Sequence, residues 1–209
     1  MKFYDCSTAP SPRRVRIFLA EKGIELPTVE VDLAHGEHLS ETFRSKNSYC
    51  TVPVLELDDG SCITESYAIC QYLEHTCPEP PLMGRDAKER ALVTMWNSRI
   101  EHTGLGAIAE AFRNDAKGFN ERALTGSTNF AQIPDLVPRG LARSQIFLQE
   151  LDVHLADHEY IVGDSFSVAD ITAVVAVDFA SRLQLPVPEN ARNLRRWHDQ
   201  VSSRPGVIA

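Results

Sequence analysis

Three short segments of this 209-residue chain have the residue types and spacing for chemistry. The first is Ser7-Thr8-Ala9-Pro10-Ser11-Pro12, which leads into a helix carrying Arg13, Arg14 and Arg16. Hydroxyls at a helix N-terminus stabilise an anion by hydrogen bonding, and the helix dipole adds to the effect. A thiol bound there, with an ordinary pKa of about 8.5, would shift toward thiolate, each unit being worth about 1.4 kcal/mol. The same residues also serve as a plain cap. The three arginines, at spacings of one and two, do not share a face, which leaves one or two as solvated charges. The second segment is Val52-Pro53, a proline inside an otherwise clean strand. It fits an edge strand, because proline removes a ladder donor. It also fits a cis peptide that turns the Val52 backbone outward to an extended ligand. The third is Glu65-Ser66 at a helix start. Free N–H groups and the Ser66 hydroxyl suit a ligand carboxylate, and the Glu65 carboxylate suits an ammonium. Together they would grip an amino-acid head group, although a Glu-Ser helix start is ordinary without any ligand.

The five cysteines, Cys6, Cys50, Cys62, Cys70 and Cys77, all fall in the first 84 residues. Five is odd, so at least one thiol is free unless chains cross-link, and in a reducing cytosol all five can be. No pair has C-x₂-C spacing, so neither a zinc site nor a thioredoxin-type redox motif is supported. Cys62 and Cys70 read as small, partly buried hydrophobes.

Composition narrows the classes further. The net charge of −8 argues against a nucleic-acid or polyphosphate binder, which needs a basic surface. The 43% hydrophobic content supports a real core and argues against disorder. No apolar run approaches the roughly 20 residues of a membrane span. The start, Met1-Lys2-Phe3-Tyr4-Asp5, lacks the apolar stretch of a secretory signal. A cytoplasmic location is the expectation.

Periodicity gives the elements that must hold the three segments. Phe3-Tyr4 marks a first strand, and Val15, Phe18 and Leu19 mark a helix from Pro12 to Gly23. Val29, Val31 and Leu33 alternate with Glu30 and Asp32 as a half-buried strand. A short polar helix spans Leu39 to Arg44. Val52 to Leu57, the turn Asp58-Asp59-Gly60 and Ser61-Cys62-Ile63 form a hairpin. Ser66 to Glu74 closes the order β-α-β-α-β-β-α. Cys77-Pro78-Glu79-Pro80-Pro81 then stiffens a connector. Everything beyond is helical: Asp86 to Phe112, Leu141 to Leu155, Ser167 to Ser181, and a last helix carrying Leu194, Trp197 and Val201. Arg113 to Pro134 reads as a long connection. The expected domains are residues 1–77 and 85–209, joined by a linker at 78–84.

In this order and spacing the segments resemble the cytosolic glutathione transferases, over essentially the whole chain. The pieces are Ser7 to Gly23, Thr51-Val52-Pro53-Val54-Leu55, Glu65-Ser66 with Ala68-Ile69 and Tyr72-Leu73, the capping box Ser167-Val168-Ala169-Asp170, and Trp197 with Arg204-Pro205-Gly206-Val207. The capping box also follows from the residues alone: Ser167 and Asp170 satisfy each other's backbone donors, and Phe166 staples onto Ile171.

The resemblance implies a thioredoxin-like α/β domain that binds glutathione, followed by an all-α bundle. Val52, before a cis Pro53, would pair with the cysteinyl part of glutathione. Glu65 and Ser66 would hold the γ-glutamyl head group. Gly36-Glu37-His38 resembles the segment whose third residue reaches the glycine carboxylate, which gives that role to His38. The thiol-activating position departs from the family pattern. The serine or threonine of phi-, theta- and nu-like classes falls on Ala9, and the cysteine or asparagine slot of beta- or nu-like ones falls on Ser11. The zeta-type Ser-Ser-Cys loop is absent, and Tyr4 lies within a strand. Ser11 is therefore assigned to the sulfur, with Ser7, Thr8 and Cys6 as rivals. The implied activity is attack of the glutathione thiolate on an electrophile in a detoxifying homodimer, with no metal or further cofactor. The electrophile would sit near Met95, Trp96, Arg99 and Phe112. Alternatives are a disulfide reductase or peroxidase, an isomerase (against which the missing zeta loop counts), and a non-catalytic glutathione-binding protein, which Ala9 keeps open.

Overall fold

A computed structural model of the chain describes residues 1–208. The first half is β1 (Lys2–Asp5), α1 (Pro10–Lys22), β2 (Thr28–Glu30), a 3₁₀ turn (Glu37–Leu39), α2 (Glu41–Arg44), β3 (Val54–Glu56), β4 (Cys62–Thr64) and α3 (Ser66–Thr76). The four strands form one mixed sheet in the order β2-β1-β3-β4. β1 runs parallel to β2, with Tyr4 opposite Val29, and antiparallel to β3, with Phe3 opposite Leu55. β3 and β4 close the hairpin, with Leu55 opposite Ile63. This is the thioredoxin-like arrangement. A parallel pair needs a crossover and α1 supplies it, whereas the antiparallel pair needs only the Asp58–Gly60 turn.

α1 begins at Pro10 rather than Pro12. Ala9 is extended (φ −91°, ψ 139°), and the fixed φ of Pro10 suits the first helical position. Ser11 therefore sits inside the first turn, not in the loop before it. The helix stops at Gly23, whose φ of 65° is left-handed; Gly23 N–H returns to Ala20 O and Ile24 N–H to Leu19 O. β2 is shorter than the Val29–Leu33 alternation predicts, because beyond Glu30 only the Val31 N–H still reaches β1, at Asp5 O.

The second half is α4 (Ala87–Ile100), a π-helical segment (Glu101–Leu105), α5 (Gly106–Asp115), α6 (Leu136–His154), α7 (Val168–Ala180), α8 (Arg192–Ser202) and α9 (Pro205–Ile208). The single helix expected from Asp86 to Phe112 is thus divided by the π segment. At that place Glu101 faces α1 and Gly104 faces α6, where a Cβ would fall 2.7 Å from the Phe147 ring. The 113–134 connection is ordered by side chains. Arg113 Nε donates to Ala123 O, and Gln132 Nε2 donates to Arg113 O and Ala116 O, both at 2.8 Å.

The helical half is organised around α7, of which all but Asp178 is buried. Ser167 and Asp170 form the capping box, and Phe166 and Ile171 join the same core. Asp170 is fully buried and also accepts from Ile161 N–H and Trp197 Nε1, both at 2.9 Å. The halves meet where α1 packs against α7 and α9. Among the described residues no helix is long and apolar enough to cross a membrane.

Candidate active site

The Val52–Pro53 peptide is cis, at the entry to β3. The turn before it is fixed by the buried Asn47, whose Nδ2 donates to Thr51 O at 2.8 Å and to Thr51 Oγ1 at 2.9 Å. β4 then delivers Glu65 in an unusual conformation, φ 69° and ψ 121°, with its side chain exposed. A non-glycine residue held there costs on the order of 1–3 kcal/mol, and such strain concentrates at ligand sites. α3 starts immediately after, without a side-chain cap, so its first N–H groups stay available.

Ser66 and Ser11 are brought together across 55 residues of sequence. Ser66 Oγ, 3% exposed, donates to Ser11 O at 2.8 Å. The Ser66 hydroxyl hydrogen is therefore committed to the protein. What α3 presents to a ligand is the backbone N–H of its first turn and the exposed Glu65 carboxylate. The same hydrogen bond makes the uncapped N-termini of α1 and α3 converge. Pro10 and Pro12 carry no N–H, so the donors at the start of α1 are the N–H and Oγ of Ser11, neither of which has a partner among the described residues.

The rivals of Ser11 are differently placed. Ser7 gives both its N–H and its Oγ to Glu30 Oε1, at 2.8 and 2.9 Å. Thr8 Oγ1 lies 3.5 Å from Cys6 Sγ, and Cys6 is buried. Each arginine of α1 has an ion-pair partner, whereas the sequence left one or two of them as solvated charges. Arg13 pairs with Asp178 on α7 at 2.6 Å, Arg14 with Glu101, and Arg16 with Asp5 at 2.6 Å. They miss a common face because each faces a different partner.

His38, in the 3₁₀ turn, lies against the 113–134 connection. Its Nε2 is 3.5 Å from Arg122 Nη2, and its buried Nδ1 has no partner. Burial, and then the charges of Arg122 and Arg113, push its pKa below the ordinary histidine value. The ring is thus neutral near pH 7 and can donate a hydrogen bond without bringing a charge. Arg122 was invisible to sequence reasoning, since nothing in an unassigned connection indicates that it closes on residue 38.

A cavity of about 90 Å³ opens between the Ser7–Pro10 loop and α7. Phe179 lines it, and Phe112 packs on Phe179 at 5.3 Å and on Phe119 at 5.5 Å. Of the four residues expected beside the electrophile, Phe112 adjoins this cavity. Trp96 and Arg99 do not: Trp96 stacks on His154 of α6 at 4.0 Å, and Arg99 lies 4.6 Å over Trp96. Met95 is exposed. The 3.6-residue period puts Thr94, Asn97 and Glu101 toward the rest of the molecule and turns Trp96 and Arg99 toward α6.

Comparison with known proteins decides the family. The glutathione S-transferase N-terminal domain model matches residues 8–76, and the C-terminal domain model matches residues 137–205. Glutathione S-transferase 2 of Saccharomyces cerevisiae is 35% identical over 99% of this chain and 88% of its own length. This chain belongs to the glutathione S-transferase family. A glutathione S-transferase domain-containing protein of Marinobacter aquaeolei VT8 superposes with a TM-score of 0.92 at 39% identity, over 99% of this chain and 100% of that one. A maleylacetoacetate isomerase of Pseudomonas aeruginosa is 38% identical over 98% of this chain and 92% of its own length. The transferase fold accounts for the convergence at Ser11 and Ser66, since β1 and β4 run in the same direction and the two helices start at the same end of the sheet.

Proposed function

We propose that this transferase binds glutathione along the groove from Glu65 to His38 and activates its thiol at Ser11. The observation that carries this reading is the pair of uncapped helix N-termini joined by the Ser66–Ser11 hydrogen bond. The Glu65 carboxylate and the first N–H groups of α3 take the ammonium and carboxylate of the γ-glutamyl group. The Val52 backbone beside Pro53 pairs with the cysteinyl unit. His38, with Arg122 behind it, receives the glycine carboxylate. The Ser11 N–H and Oγ donate to the sulfur, so that the thiol proton leaves to solvent and the charge stays on a preorganised dipole. The thiolate then attacks an electrophilic carbon: a C–S bond forms, and either the leaving group departs with its electron pair or the addition product takes a proton from solvent. Glutathione is the co-substrate, and the scheme uses neither metal nor cofactor.

Conjugation is favoured over disulfide exchange because the residue at the sulfur is serine. Cys6, the cysteine of the same loop, is buried beside Thr8. The reading extends to a cytoplasmic homodimer that removes electrophiles, and light scattering tests the subunit count.

The decisive experiment titrates glutathione into the protein and follows thiolate absorbance, in wild type and in Ser11→Ala. Binding in both forms with a smaller thiolate fraction in the variant is expected. Binding without thiolate in either would point to a non-catalytic binding protein, and no binding would end the glutathione reading.

A further inference from the structure

The cavity beside the Ser7–Pro10 loop is too polar for a wholly apolar electrophile. It holds three ionic side chains, Arg13, Asp178 and Arg182, beside the ring of Phe179. Two of the charges cancel. Asp178 accepts from Arg13 Nη1 at 2.6 Å and from His198 Nε2 of α8 at 2.8 Å. Burial pushes the Asp178 carboxyl up, but these two partners outweigh it and hold it below the usual range, so it is ionised.

Arg182 is different. It follows Asp178 by four residues, about one turn, yet it has no ion-pair partner among the described residues. Its one hydrogen bond runs across the cleft, from Nη2 to Thr8 O at 3.0 Å. Its guanidinium also sits 5.7 Å from the Phe179 ring. A carbonyl fixes the direction of a guanidinium without neutralising it. The cavity therefore carries one uncompensated positive charge, oriented from both sides, in a chain whose net charge is −8. Guanidinium has donors left after one bond, and its fork matches a carboxylate. The aromatic wall of Phe179 and Phe112 gives the adjoining surface for a flat apolar body.

We propose that the electrophile of this transferase carries a carboxylate, which pairs with Arg182 while its apolar body lies on Phe179. The proposal rests on the glutathione reading above, because the cavity opens beside the loop that leads to the proposed sulfur position. Arg182 acts here as a specificity residue that contacts the second substrate. It has no part in holding glutathione. A rival role for the same charge is stabilisation of the thiolate, and the test separates the two.

The experiment measures dissociation constants by calorimetry for three probes: glutathione, S-(4-carboxy-2-nitrophenyl)glutathione and the methyl ester of that conjugate's benzoate. In wild type the carboxylate conjugate is expected to bind about 10- to 100-fold more tightly than the ester. Arg182→Gln should abolish that advantage while leaving glutathione affinity within about twofold, a level at which no charged contact is lost. Arg182→Lys, which keeps the charge without the fork, should retain part of it. Equal affinities for the two conjugates in wild type would overturn the proposal. So would an Arg182→Gln variant that weakens all three probes alike, or one that lowers the glutathione thiolate absorbance with the conjugate preference intact. Failure of glutathione itself to bind wild type would instead remove the reading on which the proposal stands.

Discussion

Single residues here carry function through their backbone as much as through their side chains. Glu65 has an exposed carboxylate, but the local φ of 69° is what turns the chain from β4 into α3. Side chain and strain can be separated by comparing two substitutions. Glu65→Ala and Glu65→Gly both lose the proposed ammonium contact, so both should weaken glutathione binding equally and more than they alter thiolate formation. Glycine relieves the Cβ crowding, so Glu65→Gly should be about 1 kcal/mol more stable than Glu65→Ala in urea unfolding. Equal midpoints would show that the conformation costs nothing. The three segments with chemical residue types were legible in the sequence because each is contiguous, and a loop, a turn or a helix start is a local event. The fate of each polar group was not. Which of Ser7, Thr8 and Ser11 has a free hydroxyl depends partly on Glu30, which the fold delivers from β2, and partly on how the loop folds Thr8 back onto its near neighbour Cys6.

At the scale of elements, the helices are placed by close backbone approach and by cross-domain pairs. Gly140 in α6 shows the first. A Cβ there would lie 2.7 Å from Ala111 N and 2.9 Å from Ala107 O of α5, both rigid backbone atoms. Intrinsic propensity favours alanine in a helix by about 1 kcal/mol, but overpacking costs about 1–3 kcal/mol. Gly140→Ala should therefore destabilise the protein, and an unchanged or raised thermal midpoint would mean that α5 and α6 can separate freely. The arginines of α1 show the second. Arg14 meets Glu101, which the π segment presents, and Arg13 meets Asp178, so one helix start fixes both the position proposed for the thiol and a wall of the adjoining cavity. Periodicity located α1 and the long helix around Thr94, yet it gave no sign of the π segment, because an extra residue in one turn leaves the apolar pattern on either side intact.

For the whole molecule, stability is concentrated where α7 enters the core. The Asp170 carboxylate accepts from Ile161 N–H, Ser167 N–H and Oγ, and Trp197 Nε1. Asp170→Ala would leave buried donors unpaired, at about 1–3 kcal/mol each, and should lower the unfolding free energy by about 3 kcal/mol or more. Burial pushes this carboxyl up to about 6 in the folded protein. The folded state thus takes up the proton before the unfolded chain does, whose aspartate titrates near 4. The Asp170 contribution grows more favourable as pH falls from about 6 to about 4, the reverse of a carboxylate whose pKa is depressed by an ion pair. The stability gap between wild type and Asp170→Ala should widen over that window, and a gap that narrows with acid would contradict the assignment.

The element order of the first half, the hairpin, the capping box, the proline before β3 and the Glu-Ser helix start could all be read from the amino-acid sequence. Each is specified by near neighbours, through periodicity, turn chemistry and capping. Which polar groups find each other is set by long-range packing: Ser66 with Ser11, Arg122 with His38, Arg13 with Asp178, and Arg182 with Thr8 across 174 residues. A hydrophobic pattern states which face is buried, but it does not state what lies opposite. Hydrogen bonds of about 3 Å depend on that second fact, so a site built between two domains emerges only when packing sets their distance.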